Sequence, residues 1–221
     1  MTRISRERLG RLREDGLCRL RKGKSAMALS VDLDENIRYI EEKLPVKESF
    51  DLMTRHLYLG ETRAFFLGVN GFCRTELLQQ IFSDLQDASY MKDERVEDIL
   101  RYMDGKMGYA QTSLCGSWED ISRNVLSGPA ALFIDGFSQA ILIDARSYPA
   151  RGIAEPDLER VTKGSRDGFV ETLLFNANLI RRRVRSTELV FSMHCVGEES
   201  RTDVAIAYIR GSVDEGLLDV L

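Results

Sequence analysis

The sequence has few of the residues from which catalytic and metal sites are usually built. It contains two histidines, His56 and His194, far apart in the chain, so a histidine-based site would depend on a single isolated ring. Its four cysteines are widely spaced and include no C-x-x-C pair. The patterns of a nucleophile elbow, a zinc-protease helix and a phosphate-binding loop are missing. We therefore predict no catalytic residue, no metal site and no cofactor, and we do not expect an enzyme.

Long apolar runs are also missing. The longest, Ala130–Ile134 and Ala140–Ile143, have the length of strands, whereas a helix that spans a bilayer needs about 20 apolar residues. No apolar stretch follows the basic residues at the N-terminus, so the pattern does not predict a signal peptide. We expect a soluble chain in a reducing compartment, with its cysteines as free thiols.

Overall charge selects no partner, because the formal net charge is only −4. Hydrophobic residues make up 43% of the chain, which is enough for a core. Charge is nevertheless uneven along the chain, since residues 1–24 hold nine basic and three acidic residues. We interpret residues 1–33 as a basic N-terminal helix or tail. Weak contact of residues 1–30 with an anionic membrane and a solvated tail both fit this pattern.

The first predicted folded unit, residues 34–108, alternates helix and strand patterns. Asp34 is expected to cap a helix that ends before Pro45. The dipeptides Gly60-Glu61 and Asn70-Gly71 favour turns between strands and after them. The expected elements are strands near 50–59 and 63–69, followed by helices at 75–85 and 95–103.

The second predicted unit, residues 109–221, shows the same alternation. Asp135-Gly136 favours a hairpin turn, and Ser165 or Asp167 is expected to cap a long helix on which Phe169 faces inward. The expected strands lie at 109–114, 131–134, 140–144, 188–196 and 202–209, with helices at 118–126 and from 211. We therefore predict an α/β fold of two small subdomains that meet near Tyr109, with mixed or antiparallel sheets flanked by helices.

A run of arginines, Arg181-Arg182-Arg183-Val184-Arg185, ends the long predicted helix. Such a run is a possible footprint for nucleic acid, but successive helical residues point about 100° apart and cannot all face one groove. Nearby acidic residues could pair with some of them. We therefore do not expect nucleic-acid binding.

Several motifs in the second unit agree in order and spacing with one known family. They are Ala131-Leu-Phe-Ile-Asp-Gly136, Ile143-Asp-Ala-Arg146, Tyr148-Pro-Ala-Arg-Gly-Ile-Ala-Glu-Pro156, Lys163-Gly-Ser-Arg-Asp-Gly-Phe-Val-Glu171, Asn178-Leu-Ile-Arg-Arg-Arg-Val-Arg185 and Arg201-Thr-Asp-Val-Ala-Ile-Ala-Tyr-Ile209. In these motifs the chain resembles the N-terminal soluble region of GerA-type spore germination proteins, the A subunits of germinant receptors. Residues 36–50 and 69–72 look most similar to the stage V sporulation AF branch of that family.

The resemblance implies a non-catalytic module that takes part in germinant signal transduction or in assembly of the germination complex. It implies a place on the cytoplasmic, spore-core face of the inner spore membrane, with other germination-complex membrane proteins as partners. The family's transmembrane bundle would follow the region that this chain covers. A homo-oligomer is left open, and the alternative function is germinant sensing, with a small molecule in the cleft between the two subdomains.

The polar residues of the matched motifs are the candidate interaction residues. We expect them to form an ion-pair and hydrogen-bond network that holds the irregular loop before the long helix against that helix, or against a partner subunit. The set consists of Arg146, Arg151, Glu155, Arg166, Asp167, Glu171, Asn178, Arg181 and Arg182.

Overall fold

The computed structural model describes residues 27–73, 75–86, 101, 105, 110–146, 168–218 and 220. The predicted basic segment up to residue 26 and nearly all of the predicted helix at 95–103 lie outside the described residues. The helices are α1 (Leu33–Lys43), α2 (Thr75–Gln86), α3 (Trp118–Ser127), α4 (Leu173–Arg183) and α5 (Glu215–Leu218). The strands are β1 (Leu52–Leu59), β2 (Thr62–Val69), β3 (Gln111–Cys115), β4 (Ala130–Ile134), β5 (Ala140–Asp144), β6 (Leu189–Val196) and β7 (Thr202–Ile209).

Five strands form one antiparallel sheet in the order β1-β2-β4-β5-β3. β1 and β2 are joined by the predicted tight turn, in which Gly60 has φ 62° and Leu59 pairs with Thr62. A positive φ is costly for most residues and open to glycine, so the sequence places glycine where the turn requires it.

Both faces of this sheet are buried, because apolar side chains point alternately to the two sides. On one face Phe65 and Phe133 pack with Trp118 of α3 and with α1, and the Trp118 and Phe133 rings are stacked with centroids 5.4 Å apart. On the other face Phe66 packs against Ile81 and Phe82 of α2. The result is a helix–sheet–helix arrangement with two apolar clusters.

β6 and β7 form a separate two-stranded antiparallel sheet. Their eight residue pairs run without interruption from Leu189–Ile209 to Val196–Thr202. The base of this hairpin is buried at Leu189, Val190 and Phe191, whereas its far half is exposed from Met193 onward. A third, small apolar cluster joins the hairpin to α4.

The prediction of an α/β fold with antiparallel sheets flanked by helices is confirmed. The predicted boundary between residues 34–108 and 109–221, however, does not separate two sheets. β1 and β2 precede it and β3, β4 and β5 follow it, yet all five strands share one sheet. The pairing of β2 with β4 along Ala64–Leu67 makes this connection, and local sequence patterns carry no record of such a long-range contact.

Two predicted helix starts need correction. α1 is capped by Asp32, whose carboxylate accepts the Asp34 N–H at 2.8 Å, so the cap lies two residues before the predicted one. α4 begins after Thr172, which makes no side-chain cap hydrogen bond, and the predicted caps Ser165 and Asp167 lie outside the described residues. Phe169 therefore precedes the helix and is 67% exposed, and the prediction that it faces inward is wrong.

Within the described residues, no helix combines the length and the apolar character needed to cross a bilayer.

Candidate functional site

Five of the nine predicted site residues lie within the described part of the chain, and they do not form one cluster. Arg151, Glu155, Arg166 and Asp167 lie outside the described residues, so the network expected of them stays a prediction. Glu171 lies just before α4 and Arg182 lies near its end, and both are exposed. The three that remain, Arg146, Asn178 and Arg181, make close contacts within the fold.

Arg146 pairs with a carboxylate close by in the sequence. Its Nε and Nη2 donate to the two carboxylate oxygens of Asp144 at 2.7 and 2.6 Å. Its backbone also forms an isolated bridge with Cys73, which follows the turn after β2. Its Nη1 also donates to the carbonyl of Ser127, the last residue of α3, at 3.5 Å. Arg146 therefore links the end of β5 to α3 and to the segment that follows β2.

Arg181 is the largest fully buried side chain in the described part of the molecule and has no exposed surface. Its Nε and Nη2 donate to the two carboxylate oxygens of Asp51 at 2.7 and 3.1 Å, a bidentate ion pair between two side chains that are both 0% exposed. Nη2 also donates to the Leu189 carbonyl, and Nη1 to the Ser186 carbonyl, both at 2.9 Å. The guanidinium lies 5.3 Å from the centre of the Phe191 ring.

The Asp51 side of the junction is equally well connected. The Ser49 hydroxyl donates to Asp51 at 2.5 Å and accepts the Phe191 N–H at 2.8 Å. The Phe50 N–H donates to the Phe191 carbonyl at 3.1 Å, so both backbone groups of Phe191 are bonded to the segment that leads into β1. This buried junction, formed by Ser49, Phe50, Asp51, Arg181 and Phe191, links α4 and β6 to the five-stranded sheet.

Asn178 lies one turn before Arg181 on the same side of α4 and is 1% exposed. Neither polar atom of its side-chain amide has a hydrogen-bond partner within the described part of the chain. The amide nitrogen occupies the place that a Cβ would take on Gly71, a residue with φ 81° in the predicted turn after β2. Gly71 thus provides both the turn and the space in which α4 packs.

The chemistry of the junction favours a structural linkage over catalysis. The described hydrogen bonds of Arg181 and Asp51 go to each other and to neighbouring backbone or hydroxyl groups, and both side chains are fully buried. No cluster of three His, Cys, Asp or Glu suited to a metal occurs among the described residues. A buried ion pair adds little net stability, but removing one partner leaves an unpaired buried charge, which costs about 3–5 kcal/mol. The pair is therefore a sensitive connection between two parts of the fold.

Sequence reasoning selected Arg181 and missed Asp51. Asp51 is one acidic residue among 35 and lies in a short segment before a strand, a place where solvated acids are ordinary. Its one available signal is its position directly before the apolar start of β1, where an acidic side chain can be drawn into the core. The partner 130 residues away could not be read from spacing.

A small pocket in the described part of the chain lies between α2 and the sheet and is almost entirely apolar. Its lining includes Met53, Phe66, Leu78, Ile81 and Ile143, and none of the predicted arginines. It does not correspond to the polar cleft that was expected between two subdomains. That alternative, a germinant bound among the motif arginines, stays a prediction.

Comparison with known proteins identifies the family. The model of the Bacillus/Clostridium GerA spore germination protein family matches residues 38–221. The chain belongs to this family. The resemblance inferred from the motifs is thereby confirmed, and the family match includes α4, the β6–β7 hairpin and the Asp51–Arg181 pair.

Individual relatives agree with this assignment. The chain is 32% identical over 187 residues to Stage V sporulation protein AF of Bacillus subtilis, which covers 85% of this chain and 38% of that protein. It is 29% identical over 188 residues to Spore germination protein B1 of the same organism, again covering 38% of the relative and 83% of this chain. The chain thus spans less than two fifths of the length of these relatives.

The fold also matches a solved structure, the N-terminal domain of the A subunit of the Bacillus megaterium spore germinant receptor GerK3. The TM-score is 0.66, over 89% of this chain and 72% of that chain, at 20% sequence identity. This likeness shows that the two share a fold.

Proposed function

We propose that this chain is a non-catalytic module of a spore germination protein and takes part in transmitting the germinant signal or in assembling the germination complex. The buried Asp51–Arg181 pair is the observation that carries the proposal. It makes the position of α4 and the β6–β7 hairpin depend on the five-stranded sheet. A displacement of the sheet would therefore shift α4 and the hairpin, and a displacement of α4 and the hairpin would shift the sheet.

Three properties of the junction support a coupling role. Its central contact is a bidentate ion pair, whose hydrogen bonds are directional and depend on the relative position of the two side chains. Both backbone groups of Phe191 are bonded across it, which fixes the base of the hairpin. The neighbouring Asn178 amide is buried with no hydrogen-bond partner among the described residues, and an unsatisfied buried polar group is costly.

The experiment uses the full-length protein in spores of the source organism and separates coupling from stability. In one strain Asp51 and Arg181 are both replaced, as Asp51→Leu with Arg181→Met, because apolar residues of similar volume often replace a buried ion pair without loss of stability. We expect normal amounts of protein in the spore membrane but an altered germination rate. The matched control is Arg185→Ala, which removes an exposed arginine that follows α4 and lies outside the predicted set, and it should germinate like the parent.

Germination at the parental rate in the doubly substituted strain, with normal protein amounts, would contradict the proposal. If the double variant does not accumulate, the same comparison is made with Arg181→Lys, which keeps the charge and loses the bidentate geometry.

A further inference from the structure

The chain contains the same succession of elements twice. The first repeat, residues 30–78, holds α1, β1, β2 and the start of α2, and the second repeat, residues 170–218, holds α4, β6, β7 and α5. α1 and α4 have 11 residues each, and the four strands have 8 residues each. The next helix begins at the same distance from each hairpin, at Thr75 after Val69 and at Glu215 after Ile209.

The hydrogen bonds that hold the start of each helix are also repeated. Asn36, the fourth residue of α1, exchanges two hydrogen bonds with the backbone of Ser30, at 3.0 and 2.7 Å. Asn176, the fourth residue of α4, does the same with the backbone of Val170, at 2.8 and 2.7 Å. One side-chain device therefore fixes the chain that enters both helices.

The bases of the two hairpins are closed in the same way. The Asn70 N–H donates to the Asp51 carbonyl at 2.7 Å, and the Arg210 N–H donates to the Glu188 carbonyl at 2.8 Å. The next residue is in both cases a glycine with a positive φ, 81° in the first repeat and 77° in the second. Identical residues at other matching positions are Leu33 and Leu173, Ser49 and Ser186, Leu52 and Leu189, Gly60 and Gly197, Glu61 and Glu198, Thr62 and Thr202, Leu77 and Leu217, and Leu78 and Leu218.

The helices also pack on their hairpins in the same way. Ile40 of α1 and Leu52 of β1 belong to one apolar cluster. Ile180 of α4 and Leu189 of β6, which occupy the matching positions, belong to another. α4 thus covers the face of its hairpin that α1 covers in the first repeat.

In the first repeat, the side of β2 that points away from β1 is bonded to β4. The Asp135 N–H donates to the Arg63 carbonyl at 2.9 Å, and the pairing continues along β2 to Leu67. Since alternate residues of an antiparallel strand bond to the same side, Arg63, Phe65 and Leu67 are the residues that bond to β4.

The matching residues of β7 are Asp203, Ala205 and Ala207. The bond between Arg210 and Glu188 leads to the same three residues independently. It sets which residues of β7 bond to β6, and the backbone groups of the residues between them point away from β6. The two repeats therefore agree on which side of the hairpin receives a further strand.

We propose that residues 170–218 repeat residues 30–78, and that β7 receives an antiparallel strand along residues 204–207, as β2 receives β4 along residues 64–67. The strand is supplied by the part of the longer protein that follows this chain, because β4 likewise follows α2 in the first repeat. Relatives have the length for it, since this chain spans 38% of Stage V sporulation protein AF. The proposal goes beyond the function proposed above and does not depend on the Asp51–Arg181 pair.

Native-state hydrogen exchange at single amides, on this chain and on the full-length protein, tests the pairing. The probes are the Ala205 and Ala207 N–H groups, which point to the expected strand. The controls are the Ile206 and Tyr208 N–H groups, which are bonded to β6 in both proteins. We expect the probes to exchange rapidly in this chain and to be protected in the full-length protein, while the controls are protected in both.

Rapid exchange of both probes in the full-length protein would overturn the proposal. Protection of the probes already in this chain would overturn it as well, because the partner would then be a second copy or another part of residues 1–221.

A variant of the full-length protein tests the same edge. Ala205→Pro removes an N–H that donates to the expected strand, so protection at Ala207 should be lost, with the Phe66 N–H as the control for an intact first sheet. Unchanged protection at Ala207 in this variant would contradict the assignment of the edge.

Discussion

The five-stranded sheet has both faces covered by helices and apolar side chains, whereas the junction that links α4 and the β6–β7 hairpin to it holds a buried ion pair beside the Phe50–Phe191 contact. Phe66 in the sheet is fully buried among apolar neighbours, and Arg181 in the junction is equally buried but carries a charge. A close-packed apolar core yields little to displacement, while a buried ion pair depends on both partners. The sheet is therefore expected to act as the rigid body and the junction as the place where the molecule can change.

The largest loss of stability is expected from a substitution in the core of the five-stranded sheet. Phe66→Ala removes a fully buried ring that packs edge-on against Phe82, and it should lower the free energy of unfolding by about 3–5 kcal/mol. Urea denaturation measures this loss. The control is Tyr58→Ala on the neighbouring strand, where the ring is 63% exposed and the expected change is within about 0.5 kcal/mol. Equal losses in the two variants would show that the sheet is not packed as described.

A smaller effect is expected where α4 packs on the turn after β2. Gly71→Ala forces a methyl group into the place held by the Asn178 amide, and it also strains a residue with φ 81°. Gly136→Ala is the matched control, since Gly136 has φ 88° but no atom near the position of an added Cβ. We expect Gly71→Ala to cost about 1–3 kcal/mol more than the control, because packing is added to strain.

The same contact can be checked from the other side. Asn178→Ala should recover part of the stability lost in Gly71→Ala, because it removes the colliding amide and an unsatisfied polar group together. Thermal unfolding of the two single variants and the double variant measures the interaction. Strictly additive changes would mean that the two residues do not meet.

The smallest loss of stability is expected at a surface ion pair between Asp135 and Arg63, at one end of the five-stranded sheet. Asp135 accepts the Leu33 N–H and pairs with Arg63, which also reaches Asp34. Partial burial alone would raise the pKa of Asp135, but the Leu33 N–H and the Arg63 guanidinium hold it below its ordinary value of 3.8. Its contribution to stability is thus complete above that value and is lost as the pH falls through the lower, folded pKa.

Asp135→Asn should therefore cost about 1 kcal/mol at neutral pH, since the partners are substantially exposed. The difference from the parent should shrink in acid, where both proteins lack the charge. Denaturation at several pH values measures this, with Glu42→Gln, an exposed partner of Lys43, as a control of little effect. A difference that stays constant down to strongly acidic pH would contradict the assignment.

Much of the local structure followed from the sequence. The turns at Gly60-Glu61, Asn70-Gly71 and Asp135-Gly136 and the apolar runs of β4 and β5 carry strong local signals, and the structure has them as expected. The start of α4 was misplaced, because Ser165 and Asp167 have the chemistry of caps while the helix begins after Thr172, which makes no cap bond.

The site could be predicted only in part. Arg181 and Asn178 were selected through motifs of the family, but their buried environment depends on partners that are distant in sequence. Asp51 is 130 positions from Arg181, and Gly71 meets Asn178 only after α4 has packed on the sheet. The sheet spans the expected boundary for the same reason, since the β2–β4 pairing joins residues on either side of it.

The most direct test of the account is native-state hydrogen exchange on the chain and on Arg181→Met, read at individual amides. We predict that the Phe50 and Phe191 N–H groups, which are bonded across the junction, exchange faster in the variant, while the Phe66 and Leu67 N–H groups in the centre of the sheet keep their protection. This result would show that α4 and the β6–β7 hairpin can separate from the five-stranded sheet while the sheet stays folded. An equal rise in exchange at all four amides would contradict the account, because the junction would then be one part of a single cooperative core.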